Sequence, residues 1–99
     1  MIEHMVMFKF KEQTTKEQKE EGMNRLKALA KVIPGIVDLQ TNHNFSDRSK
    51  GYGVGLTVRF ESRDSLETYG PHPEHQKVVT YLKEVGLEDT IVVDFEIQE

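Results

Sequence analysis

Ninety-nine residues, 36% of them hydrophobic and 30% charged, suffice for one domain around one core. A net charge of −4 and the lack of any long basic cluster argue against nucleic-acid binding, because phosphate contacts need a basic surface. The chain has no cysteine, which excludes disulfides, thiolate metal sites and cysteine nucleophiles.

The opening Met1-Ile2-Glu3-His4-Met5 enters a strand-like pattern at once. With no basic n-region and no long apolar run, neither a signal peptide nor a membrane span is expected, and a cytoplasmic location is the default. Ile2, His4, Val6, Phe8 and Phe10 alternate with Glu3, Met5, Met7 and Lys9, which predicts a strand with one strongly apolar face. Thr14 or Thr15 then offers an N-cap, with Glu17 or Gln18 as capping-box partner. The helix that follows carries Met23, Leu26, Leu29, Ala30 and Ile33 along one side and stops at Pro34-Gly35. Its Lys, Glu and Gln face reads as solvated surface.

A weaker strand is predicted over 36–43, then a polar loop from Asn44 to Gly51. The cleanest alternation follows: Tyr52, Val54, Leu56, Val58 and Phe60 on one face, Gly53, Gly55, Thr57 and Arg59 on the other. Ser62 can cap a short helix through Leu66 to Tyr69, and Pro73 suits the first position of another helix that ends near Gly86. A last strand spans 90–97, with Ile91, Val93, Phe95 and Ile97 facing one way, toward the helices.

The order β-α-β-β-α-β implies an α+β, ferredoxin-like domain over residues 1–99, an antiparallel sheet with its helices on one face. A monomer should leave the other face polar. Here that face is expected to present Met5, Met7 and Val92 among the small Gly53, Gly55 and Thr57. Small residues let another sheet approach and methionine fills uneven gaps, so a homodimer packed sheet against sheet is expected. The plainer account of the glycines is a bulge or twist.

The segment Tyr69-Gly70-Pro71-His72-Pro73-Glu74-His75 puts a phenol and two of the four histidines at the start of a helix. Histidine is the side chain best suited to moving protons near neutral pH. A His-x-x-His pair can also supply two metal ligands, with Glu74, His4 or His43 as a third. However, Pro73 fixes a helix start here and not the continuous helical face of a zinc-protease site, so no metal is expected. Gly51, Gly53 and Gly55 recur every second residue in a strand and do not form a phosphate loop.

Several segments resemble the stress-responsive dimeric α/β-barrel (Dabb) family. They are His4-Met5-Val6-Met7-Phe8-Lys9-Phe10-Lys11, the Pro34-Gly35 stop, Asn44-Phe45-Ser46, Phe60-Glu61-Ser62, Tyr69 with His72-Pro73-Glu74-His75, and Val93-Asp94-Phe95-Glu96. The resemblance spans almost the whole chain and implies ferredoxin-like subunits whose sheets close a shared barrel. Most members have no assigned reaction. One plant member closes a linear polyketide by aldol condensation with a tyrosine and a histidine that fall on Tyr69 and His75. A further pocket histidine of that enzyme falls on His4. Its first helix carries large aromatics where this chain has Gly22, Met23 and Leu26, so a pocket for a long alkyl-resorcinol precursor is not expected.

Two functions follow. The first is a Dabb protein without an assigned reaction, binding a small apolar ligand against Val6, Phe8, Met23 and Leu26. The second is a cofactor-independent cyclase or isomerase. There His75, kept neutral by the helix N-terminus, acts as base, Tyr69 donates to the enolate oxygen, and His4 orients the substrate. Alternatively these three are structural polar groups, and His72 simply caps its helix. An enzyme requires a reachable cavity between helices and sheet, lined by Tyr69, His75 and His4.

Overall fold

The computed structural model describes residues 1–98. In chain order the elements are β1 (Ile2–Phe10), α1 (Lys16–Ala28), a 3-10 turn (Leu29–Lys31), β2 (Ile36–His43), β3 (Val54–Phe60), α2 (Arg63–Tyr69), α3 (Pro73–Val85) and β4 (Leu87–Glu96). The strands pair antiparallel in the spatial order β2-β3-β1-β4, which is the ferredoxin-like arrangement. The second helical region breaks in two at Gly70-Pro71, where proline supplies no N–H to continue α2.

Local chemistry sets the helix ends. Thr15 caps α1 in a full capping box with Gln18, and Ser62 caps α2 by accepting from the Ser65 N–H. His72 caps α3: its Nδ1 accepts from the Glu74 N–H at 3.1 Å, and Pro73 takes the position whose N–H has no partner to lose. Gly86 ends α3 with φ of 121°, where a Cβ would strike the Thr14 hydroxyl. That hydroxyl donates to the Val85 carbonyl, and Lys11 N–H donates to Gly86, tying the end of β1 to the end of α3.

The core lies between the helices and one sheet face. Val6 and Phe8 of β1 and Val54, Leu56, Val58 and Phe60 of β3 are buried against Met23 and Leu26 of α1 and Val78 and Leu82 of α3. Each such side chain contributes roughly 1.5–3 kcal/mol on burial. Gly22 lets α1 approach α3 closely, since a Cβ there would stand 2.6 Å from Leu82 Cδ2.

The last strand departs from expectation. Val93 pairs with Met5 and Ile91 with Met7, whereas Val92 pairs with Val6 and Asp94 with His4. Directly opposed residues of an antiparallel pair point to the same face. Ile91, Val93 and Phe95 therefore lie on the helix-free face, and Val92, expected there, lies on the helix side. Ile97 follows β4, its N–H donating to Met1. The expectation failed because it set the more apolar side of β4 against the helices, whereas Thr90, Val92, Asp94 and Glu96 share the helix side with their β1 partners. The alternation separates the faces, but only pairing with β1 decides which one meets the helices.

On the helix-free face Gly55 pairs with Met7 and Thr57 with Met5, while Gly53 sits just before β3. Met5, Met7, Ile91, Val93 and Phe95 are each 39–50% exposed. Beside them an open depression of about 440 Å³ reaches the β2–β3 loop, where Phe45 is fully exposed.

Candidate active site

Tyr69 ends α2, and its ring is wedged against Phe60 at 5.1 Å and His4 at 5.9 Å, centroid to centroid, both edge-on. Only 2% of the residue is exposed, and its phenolic oxygen has no hydrogen-bond partner. Burial pushes the phenol up to about 12, so it keeps its proton across the neutral range. An unpaired buried hydroxyl costs about 1–3 kcal/mol.

His75 is the third residue of α3, and its ring lies 4.2 Å from that of Tyr69 at 37°. The Gly70 carbonyl, which also accepts from the Gln76 amide, lies 2.8 Å from His75 Nδ1. Nδ1 therefore carries the hydrogen, and Nε2 keeps a lone pair with no partner among the described residues. Burial lowers the His75 pKa below the ordinary histidine value. The Gly70 hydrogen bond opposes this, and the positive charges that His4 and His72 can carry lower it further. The result is a neutral imidazole with a free basic nitrogen.

His4 projects from β1 toward the same rings, and its Nδ1 lies 2.5 Å from the carboxylate of Asp94, the residue opposite it on β4. The His4 side chain is 12% exposed. With Nδ1 engaged, its Nε2 is likewise left without a partner among the described residues.

These three residues share a cavity of about 270 Å³ between α3 and the sheet. Val6, Phe8, Leu26, Leu56, Val79, Leu82, Leu87 and Val92 make its apolar wall, with Lys83 and Thr90 also lining it. Of the expected lining residues, Val6, Phe8 and Leu26 are on the wall. Met23 is packed into the core instead, away from the cavity lining. The other histidines lie elsewhere: His72 caps α3, and His43 meets Glu20 at 3.2 Å near the start of α1. Among the described residues no three His, Asp or Glu side chains converge as metal ligands. No described helix is long and apolar enough to cross a membrane.

Residues 2–97 match the model of the stress responsive A/B barrel domain, Dabb. The chain belongs to the Dabb family. It is 32% identical over 76 residues to olivetolic acid cyclase of Cannabis sativa, covering 75% of each chain. It is 31% identical over 97 residues to a stress-response A/B barrel domain-containing protein of Arabidopsis thaliana. That match covers 96% of this chain and 36% of the relative, so this Dabb chain spans about a third of that protein. Among solved structures, a dimeric ferredoxin-like protein from Jannaschia sp. CCS1 superposes with a TM-score of 0.81 at 28% identity, covering 97% of this chain and 98% of that one.

Sequence reasoning missed two features of this Dabb site. With Val93 and Phe95 expected toward the helices, Asp94 between them would face away, so its pairing with His4, 90 residues away, is not foreseen. Val79, Leu82 and Lys83 were passed over, although four-, seven- and eight-residue spacing from His75 marks one helix face.

Proposed function

We propose that this Dabb protein binds a small, largely apolar carbonyl compound in the cavity between α3 and the sheet and enolises it without a cofactor. The observation that carries this reading is the buried Tyr69 hydroxyl, left without a partner on a cavity wall beside the free Nε2 of a neutral His75. A substrate carbonyl oxygen would accept from Tyr69. His75 Nε2 takes a proton from the adjacent carbon, the C–H electron pair becomes the new C=C bond, and the carbonyl π pair moves to oxygen. Tyr69 stabilises that oxygen by its hydrogen bond or by giving up its proton. The enolate can then be reprotonated, giving isomerisation, or attack a second carbonyl, giving aldol closure. The likeness to a cyclase at 32% identity supports the second outcome as an alternative.

The test is deuterium incorporation next to the carbonyl of a medium-chain methyl ketone in heavy water, with NMR of the four histidines in parallel. Exchange above background, lost in His75→Ala, is the expected result. No exchange, together with histidines indifferent to ketones and β-diketones, would leave a ligand-free structural barrel.

The assembly proposed is a homodimer through the helix-free face. Met5, Met7, Ile91, Val93 and Phe95 form a continuous apolar surface there, and Gly55 and Thr57 give a low region next to it. A two-fold axis sets the high β4 side of one copy over the low β3 side of the other. The dimeric relatives from Jannaschia and from Bacteroides fragilis, both 28% identical, support this reading.

A further inference from the structure

We infer that the ligand of this cavity carries a carboxylate at one end, held by Lys83 and separated from the carbonyl at Tyr69 by an apolar stretch. The inference rests on the ligand-binding reading above and narrows it. α3 contributes His75, Val79, Leu82 and Lys83 to the cavity. Lys83 is eight residues beyond His75, about 12 Å along the helix axis at 1.5 Å per residue. The cavity is therefore elongated along α3. Its far end offers a buried hydroxyl in need of an acceptor, its middle is aliphatic, and Lys83 sits at the other end.

Lys83 forms no ion pair with the described residues, whereas Lys77 on the same helix pairs with Glu74. A lysine in the last turn also complements the partial negative charge of the helix C-terminus. That accounts for a cation in this turn and leaves its place on the cavity wall unexplained. A protein of net charge −4 repels anions at long range, so an unpaired cation beside an apolar cavity is where one can be accommodated. A single lysine at the negative end of a helix dipole matches a monoanion, and a carboxylate is the simplest one.

The experiment compares an eight-carbon methyl-keto acid with its primary amide by NMR titration. It uses the intact protein, Lys83→Gln and, as a control, Lys77→Gln. Both lysines are exposed, so the variants should fold, which their amide spectra verify. Both probes should shift His75 and Tyr69. The acid should bind roughly three- to five-fold more tightly, a preference that fades in high salt. Lys83→Gln should abolish the preference and Lys77→Gln keep it. Equal binding of acid and amide with normal His75 shifts, or a preference untouched by Lys83→Gln, would overturn the carboxylate and leave the cavity reading standing. If neither probe moved His75 or Tyr69 at millimolar concentration, both would fall.

Discussion

The ring centroids of Tyr69 and His75 stand 4.2 Å apart, yet the two side chains do not hydrogen-bond to each other. His75 spends Nδ1 on the Gly70 carbonyl, and the Tyr69 hydroxyl bonds to nothing. A pair built only for stability would hydrogen-bond internally. This one leaves a donor and an acceptor free, which costs stability and suits a ligand that supplies the complementary groups.

Tyr69→Phe should leave the protein as stable or raise its stability by about 1 kcal/mol, because it removes an unpaired buried hydroxyl and keeps the ring packed against Phe60. The same variant should lose most ketone-dependent exchange. Urea unfolding and the deuterium assay on one preparation check both halves. A loss of about 2 kcal/mol would mean that the hydroxyl has a partner and is structural.

The pH profile follows from two shifts. His75 must be neutral to act, and burial lowers its pKa, so the acid limb of exchange should lie below the free histidine value of about 6.5. Tyr69, at about 12, should impose no alkaline fall in the neutral range. Stability has the matching sign. The His75 contribution is complete above about 6.5 and is lost as pH falls through the lower folded value, where the unfolded chain binds more protons. The Tyr69 contribution is complete below about 10 and is lost as pH rises toward about 12. Rate against pH and melting temperature against pH, each repeated in His75→Gln, test this.

Asp94→Asn should act through His4. The carboxylate holds the hydrogen on Nδ1, so nitrogen NMR of His4 should show one tautomer in the native protein and a mixture in the variant. Asp94 is 41% exposed, which limits the stability loss to about 1 kcal/mol. An unchanged His4 spectrum would mean that the contact does not set the ring.

The two faces of β4 should respond oppositely. Val93→Glu places a charge amid the apolar helix-free surface and should give monomers by light scattering. Val92→Glu, one residue earlier, should leave the dimer intact and weaken ligand binding in the cavity. The reverse pattern would place the subunit contact on the wrong side of the sheet.

How much could be read from the chain depends on how local each signal is. The faces of β1 and β3 were legible because Val6/Met7 and Leu56/Thr57 alternate sharply, and a period of two admits one reading. The meeting of Tyr69 and His75 was legible because they flank one short turn. The caps at Thr15, Ser62 and His72 were equally local.

Tertiary pairing decided the rest. Ile91, Val92 and Val93 are alike in hydrophobicity, so only register against β1 turns Val92 inward and Ile91 and Val93 outward. The same register brings Asp94 to His4 across 90 residues. The cavity itself depends on how closely α3 lies over the sheet, which Gly22 against Leu82 helps to fix. Element order, the apolar faces of β1 and β3, and the clustering of Tyr69 with His75 could be read from the chain alone, because each is written in a pattern only a few residues long. The tertiary structure decided the orientation of β4, the partner of His4 and the space left for a ligand, because each depends on distant segments whose relative placement no local pattern encodes.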